Sequence, residues 1–278
     1  MNGENEIIRL DDRLVYHGSY SLTTRATKTI CYVMAKYVDP GSSSLPDVIR
    51  VPVADLHRAL MDGRVGKASK SFYSEINRLC DELTSSRIVF QSDVKVDGLK
   101  LEGQVYWCSA VVPKRDKGAR YIDFYFCKYL EQFLLGLSKY VRLYRPELNR
   151  LKTGYAIRLF QMLKGERNRK EKFGKKSVYV FEVERLRFLL GLGEKYKGYK
   201  ELKRWILEPS IRQINEETTV RVLDVVEIRR RGGRKVTHLE FHFVSQSPQA
   251  YVGYVPEGKP LPDFVPEVGD LNLSLIHI

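Results

Sequence analysis

The sequence predicts an α+β protein made of two similar units in tandem, and three observations carry that expectation. Its 278 residues exceed what one average domain needs and leave each half enough chain to bury its own core. One order of elements, a helix, a short strand, two more helices around a turn and closing β-hairpin strands, can be read twice, on either side of residue 138. Charge then separates the two readings. The chain carries 47 Lys and Arg against 34 Asp and Glu, a net +13. Residues 1–137 hold 19 basic and 17 acidic side chains (+2), residues 138–245 hold 27 and 13 (+14), and residues 246–278 hold 1 and 4 (−3). The units are therefore expected at 1–137 and 138–245, followed by a flexible Pro-rich acidic tail over 246–278. The closing LNLSLIHI has no polar face to pair with a core helix and is open to being non-native. A basic excess of this size points to a polyanionic partner and says nothing about fold.

In the first unit, LTTRATKTICYVMAKY (22–37) places Ile30, Val33, Met34 and Tyr37 at helical spacing. DPGSSSLPD is a turn cluster, VIRV a short strand, and VADLHRALM a helix entered through Pro52. After the basic turn GRVGK, Phe72, Ile76, Leu79 and Leu83 recur at i, i+4, i+7 and i+11, which predicts a second helix over 69–83. RIVFQ, QVYWCSAVV and ARYIDFYF are β-branched and aromatic, and DGLKLEG and KRDKG interrupt them as hairpin loops do. A mostly helical connection is expected from Lys128 to Leu151.

The same order returns in the second unit. GYAIRLFQMLKGE is an amphipathic helix, VYVF a strand, and EVERLRFLLGL a helix closed by Gly191 and Gly193. GYKELKRWILEPSIRQINEE is the next helix, and TVRVLDVVEI and KVTHLEFHF are the final strands. A helix-turn-helix followed by a β-hairpin describes a winged helix, a DNA-binding variation on the helix-turn-helix.

The last hairpin carries the densest charge. Strand alternation sets Leu239, Phe241 and Phe243 on a packing face and His238, Glu240 and His242 on a solvent face. Gly232 and Gly233 can supply the positive φ angles of a two-residue turn, which leaves Arg229, Arg230, Arg231, Arg234 and Lys235 flanking the tip. Such a run is ordinarily a solvated face. Here it lies on the wing of a unit whose helix YKELKRW follows another basic stretch, EKYKGYK with Lys195, Lys197 and Lys200, and helix and wing together can straddle a groove and its phosphates.

YAIRLFQMLKGERNR (155–169), FEVERLRFLLGL (181–192), YKELKRWILEPSIRQINEET (199–218) and GRKVTHLEFHF (233–243) together resemble the iteron-binding plasmid replication initiators of the RepE and Pi type. The resemblance is clearest over 140–244; the N-terminal half matches in its order of helices and strands. It implies two winged-helix domains. The C-terminal one would read the major groove of directly repeated origin sequences, and the N-terminal one would add DNA contact in monomers and the interface of a homodimer. It further implies origin opening, recruitment of the host replicative helicase and the host initiator ATPase, and repression of the protein's own gene by a dimer on an operator inverted repeat.

Carried onto this sequence, the resemblance puts the recognition helix at about Tyr199 to Asn215. Leu202, Ile206, Ser210 and Ile214 line up on a regular helix and leave Arg204, Glu208, Arg212 and Asn215 opposite. Lys203 falls between the faces, and Pro209 can kink the helix and shift its phase, so the face that meets bases stays open. Lys200, Lys203 and Arg204 are expected near the bases, with Arg212 further along and the wing cations on phosphate. In the first unit the 69–83 helix offers Lys70, Ser74, Asn77 and Arg78, with Lys67 before it, while Asp81 and Glu82 limit its basic face.

Two rival readings stand beside this one. A rolling-circle nicking initiator would need a tyrosine beside a metal-binding His-hydrophobic-His pair, which the sequence lacks, and His238 and His242 stand too far apart along a strand to replace it. A tandem winged-helix transcriptional repressor is separated from an initiator only by the resemblance. GRVGKAS (63–69) fails the phosphate-loop spacing, and Ala68 replaces the hydroxyl that would hold magnesium. No catalytic residue, metal or cofactor is expected. Cys31, Cys80, Cys108 and Cys127 form no C-x-x-C pair and read as reduced thiols. With no basic-then-apolar leader in MNGENEIIRLDD and no apolar stretch near the roughly 20 residues of a membrane span, a cytoplasmic protein is expected.

Overall fold

The computed structural model describes residues 7–60, 70–96, 99–116, 119–170, 176–229 and 233–245. The chain starts with β1 (Ile7–Asp11), α1 (Asp12–Tyr16) and the two-residue strand β2 (Gly18–Ser19). Next come α2 (Thr24–Tyr37), β3 (Ile49–Pro52), α3 (Val53–Leu60) and α4 (Lys70–Ser85), at or within two residues of where apolar periodicity puts them. Thr23 caps α2 by accepting from the Ala26 N–H at 3.2 Å.

The strands that follow are more elaborate than three hairpin segments. They are β4 (Arg87–Val96), β5 (Leu99–Tyr106), β6 (Cys108–Asp116) and β7 (Ala119–Phe126). QVYWCSAVV, expected as one strand, breaks at Trp107: β5 joins the sheet β2-β4-β5 and β6 joins the sheet β3-β7-β6. Trp107 is the pivot, 2% exposed, with its ring edge-on to Tyr20 at 5.2 Å. Its backbone donates to the Ser86 carbonyl and accepts from the Cys127 N–H, so both sides of the break are held.

The helical connection expected over 128–151 is corrected in its middle. After a 3-10 turn at Lys128–Leu130 and α5 (Glu131–Leu134), residues Tyr140–Tyr144 form a strand, β8, before α6 (Arg145–Arg150). YVRLY alternates, with Val141 and Leu143 buried and Tyr140 and Arg142 exposed, and β8 pairs antiparallel with β1 from Ile7↔Tyr144 to Asp11↔Tyr140. The division expected at 137/138 therefore falls ahead of a strand that pairs with the first strand of the chain. By pairing, the first unit runs on through β8.

The second unit comprises α7 (Gly154–Lys170), β9 (Ser177–Glu182), α8 (Val183–Leu189), α9 (Tyr199–Leu202), a π turn (Lys203–Leu207), α10 (Glu208–Glu217), β10 (Val220–Arg229) and β11 (Val236–Ser245). Its sheet order, β9-β11-β10, repeats that of β3-β7-β6: β3 follows α2 as β9 follows α7, and each pairs with the second strand of a hairpin, β6–β7 or β10–β11. The duplication is one of topology. The first unit adds the pair β1–β8 and the sheet β2-β4-β5.

α7 is shared between the units. It packs on β8, α1 and α2 of the first unit and on α10, β9 and β10 of the second, and Ala156, Ile157, Leu159, Phe160, Met162 and Leu163 are all buried. It also carries buried polar ties. The Arg158 guanidinium donates to the carbonyls of Leu14 and Val15 at 3.0 Å and of Leu189 at 3.3 Å. Lys164 Nζ donates to Glu147 Oε2 at 3.3 Å and Thr219 Oγ1 at 2.6 Å, while Glu147 Oε1 accepts from the Thr219 N–H at 2.6 Å. One hydrophobic core runs through both units. The cysteines are free, and burial pushes the thiols of Cys31 and Cys108 up to about 12. Among the described residues no helix is long and apolar enough to cross a membrane.

Candidate nucleic-acid interface

The second unit's helix-turn-helix begins with α8, whose end is fixed by a Schellman motif. Gly191 has φ +62°, its N–H donates to the Phe188 carbonyl at 2.9 Å, and the Leu192 N–H donates to the Arg187 carbonyl at 3.2 Å. Arg187, only 8% exposed, then organises the turn: its guanidinium donates to the carbonyls of Gly193 at 3.2 Å, Lys195 at 2.8 Å and Tyr196. Lys195 and Lys197 are thus presented on a stiffened loop, with Lys197 in an ion pair with Glu194. Arg187 was not singled out in the sequence. An arginine in the last turn of an amphipathic helix reads as a surface residue, and only the folded turn shows the carbonyls converging on it.

At the start of the next helix, Glu201 Oε2 accepts from the Gly198 N–H at 3.4 Å. α9, the π turn and α10 then run on as one rod over 199–217. Pro209 has no N–H to offer the Trp205 carbonyl, and its ring crowds that group. The chain widens into the π turn just before it, and the Glu208 N–H donates to the Lys203 carbonyl, five residues back. The π turn stands where Pro209 was expected to disturb the helix, yet the face aligned on a regular helix is kept. Leu202, Ile206, Leu207, Ser210 and Ile214 are buried, and Lys203, Arg204 and Trp205 are exposed in succession, ahead of Glu208 and Arg212 on the same rod.

Trp205, 57% exposed, was not anticipated; the Arg204 guanidinium lies 4.9 Å from its ring centroid. Asn215, expected on the outer face, is instead committed to the wing: its Oδ1 accepts from the Val222 N–H at 2.7 Å and its Nδ2 donates to the Val222 carbonyl at 3.0 Å.

In the wing, Leu239, Phe241 and Phe243 face the core at 0% exposure, while His238 is exposed and Glu240 and His242 are half-buried, bonded to each other at 2.6 Å. Among the described residues the last pair of the ladder is Arg229↔Val236, and the turn expected at Gly232-Gly233 falls in part on residues outside them. Arg229, Arg234 and Lys235 are exposed, and Lys235 pairs with Glu184 at 3.4 Å; Arg230 and Arg231 lie outside the described residues.

Helix start and wing meet at one carboxylate. Glu227 Oε1 accepts from Lys203 Nζ at 2.8 Å and from the Tyr199 hydroxyl at 2.9 Å, and its Oε2 accepts from Arg229 Nη2 at 3.0 Å. Lys203, assisted by Tyr199 and Arg229, holds the Glu227 carboxyl below its usual range against the opposing effect of burial. Lys200 stands exposed one turn before Arg204.

In the first unit, α4 exposes Ser74, Asn77 and Arg78. Lys67 lies outside the described residues, as does the side chain of Lys70. Of the two acids expected to limit this face, Glu82 is engaged with the start of α2, where it accepts from the Thr23 N–H at 2.5 Å and the Thr23 hydroxyl at 2.7 Å. Glu75 pairs with Arg25.

Residues 7–164 match the family model described as "Initiator Replication protein, WH1", and residues 182–243 match "Initiator Rep protein, WH2". The first match, like the β1–β8 pairing, carries the N-terminal unit past 137. No curated protein matches the chain. Among solved structures, the crystal structure of the Pi initiator protein in complex with iteron DNA is similar at 20% identity and a TM-score of 0.63, covering 88% of this chain and 99% of that one. Domains 2 and 3 of RctB align over 81% of this chain and 80% of that one, at 11% identity and a TM-score of 0.38. Two winged helices in tandem, each with its own family model and together spanning most of the described chain, place this protein in the initiator Rep family of replication proteins.

Proposed function

We propose that the chain initiates replication of a plasmid by binding directly repeated origin sequences in duplex DNA. The observation that carries this reading is the junction at Glu227. Because one carboxylate bridges Lys203 of the recognition helix and Arg229 of the wing, the exposed cations of both belong to one continuous surface. A helix of this kind fits the major groove, and a basic hairpin beside it tracks the flanking phosphates. Lys200, Lys203, Arg204 and Arg212 are assigned to the groove. Lys195, Lys197, Arg229, Arg230, Arg231, Arg234 and Lys235 are assigned to the backbone, with auxiliary contact from Lys67, Lys70, Ser74, Asn77 and Arg78 of the first unit. The Pi structure in complex with iteron DNA supports direct repeats as the target.

The chemistry is non-covalent on this reading. Phosphate neutralisation supplies affinity, base contacts supply register, and several copies on adjacent repeats strain a neighbouring A/T-rich segment toward opening. Recruitment of the host replicative helicase and initiator ATPase, and repression of the protein's own gene by a homodimer joined through the first unit and the 128–151 stretch, complete the proposal. Footprinting of the full chain across its own replicon is the test. Protection recurring over direct repeats supports an initiator; protection of a single inverted repeat alone would make the protein a repressor. Nicked product from supercoiled origin DNA in magnesium, lost on replacing one tyrosine, would make it a nicking enzyme.

A further inference from the structure

We infer that Glu227 is a specificity-determining residue, which holds Lys203 and Arg229 in one arrangement and so restrains their use on arbitrary phosphates. The inference rests on the DNA-binding reading above and goes beyond it, because it gives an acidic side chain a positive role on a surface meant for a polyanion.

On simple electrostatics a carboxylate is misplaced there. It cancels one charge of a cationic surface and repels phosphate directly. Yet Glu227 is no bystander at the rim. Its strand partner is Leu239, which is fully buried, so Glu227 projects on the core side of the wing, over the start of the recognition helix. Its side chain is 22% exposed, and both of its oxygens are used, by three donors from two elements.

The constraint falls on the residues whose freedom matters most. Lys203 lies in the π turn, beside Arg204, on a long flexible stem that could otherwise reach a phosphate in many directions. Tied at 2.8 Å to Glu227, its ammonium keeps two further N–H donors but offers them from a fixed position. Arg229 is held at 3.0 Å and likewise keeps donors to spare. A cation fixed in this way remains useful to the duplex whose groups meet it and is poorly placed for others. Non-specific attraction is reduced more than specific attraction, which is how a repulsive element raises discrimination.

The test uses the full-length chain, with two duplexes of equal length: the tightest binder selected by this protein from a randomised library, and a random-sequence control. Glu227→Gln keeps the size and one acceptor oxygen and removes the charge. Glu184→Gln makes the same change of net charge at the exposed pair with Lys235, away from the bracket. One phosphate contact regained adds about 0.9 to the salt slope, which at ~0.15 M salt is roughly a fivefold gain in affinity. Glu227→Gln should show that gain on the random duplex and little change on the selected one, so discrimination falls roughly fivefold. Glu184→Gln should leave discrimination unchanged. Tyr199→Phe removes one of the three donors and should lower discrimination in the same direction by less, which keeps the idea testable if Glu227→Gln folds poorly. Equal effects of Glu227→Gln on both duplexes, or unchanged discrimination in both bracket variants, would overturn the role of Glu227 and leave the DNA-binding reading standing. A wild-type chain that bound neither duplex would overturn both.

Discussion

Replacing Arg158 with alanine should destabilise the whole protein, and the size of the effect follows from its surroundings. The side chain is 4% exposed at the junction of the two units. It donates to the carbonyls of Leu14, Val15 and Gly18 in the first unit and of Leu189 in the second, bonds Gln161 Oε1 at 3.3 Å, and lies 4.1 Å from the ring centroid of Tyr20. Alanine would leave four carbonyls at a buried junction without this donor. Each unsatisfied buried acceptor costs about 1–3 kcal/mol, offset in part because the desolvation of the guanidinium is no longer incurred and water can enter the space, so a net loss of about 3–5 kcal/mol is expected. For a chain of this length a kcal/mol corresponds to roughly 2–4 °C, which places the fall in Tm at roughly 6–20 °C. Arg158→Lys keeps the charge with fewer donors and should lie between. Urea and thermal unfolding followed by circular dichroism read the effect. An alanine variant melting within about 2 °C of wild type would refute the assignment of these bonds as the junction's main polar tie.

Three further outcomes are expected. The Arg50 guanidinium, at 2.8 Å, and then Lys114 hold the carboxyl of buried Asp123 down at about 2 against the effect of its burial. A depressed carboxyl stabilises above its unfolded value of about 3.9, and that contribution is lost as pH falls from there through the folded value; with both cationic partners about half exposed it is worth about 1–2 kcal/mol. Asp123→Asn should therefore lose that amount at pH 7 and flatten the stability profile between about pH 4 and 2, and an unchanged acid limb in pH-dependent unfolding would contradict it. Alanine at both Arg230 and Arg231 should weaken selected and random duplexes alike and lower the salt slope by about 1 to 2; loss of selected binding alone would mean that the wing tip reads sequence. Sedimentation should show a concentration-dependent monomer–dimer exchange, and a protein monomeric at every concentration, with or without an inverted-repeat operator, would remove the homodimer from the proposal.

The sequence made the periodic parts of this fold readable. Apolar residues at helical spacing located α2, α4 and α7, and the alternation in KVTHLEFHF gave both faces of β11 correctly. β8 was missed because five residues of alternating YVRLY mean little until β1, at the other end of the unit, supplies their partner. The break at Trp107 was invisible for a related reason: both halves of QVYWCSAVV are strand-like, and only tertiary packing assigns them to different sheets. In the candidate interface, residue types were legible and their engagements were not. Pro209 announced a disturbed helix, and the π turn before it is present, while Leu202, Ile206, Ser210 and Ile214 stay buried as a regular helix would have them. Asn215 was expected on the outer face and instead bonds the wing strand at Val222. Glu227 passed as an ordinary strand acid because its three donors come from positions 199, 203 and 229, which converge only when the wing folds over the helix.

The most direct test of the account is a salt-resolved titration of the wild-type chain and of its Lys203→Ala and Arg204→Ala variants against selected and random duplexes. Wild type should prefer the selected duplex, and its affinity should fall steeply with salt at about 0.9 in slope per phosphate contact. Each helix variant should cost the selected duplex about 1–3 kcal/mol more than the random one, the worth of a base contact. Equal losses on both duplexes, with a salt slope lowered by about 1, would mean that the 199–217 rod only tracks phosphate, and the central claim that it reads the groove would be contradicted.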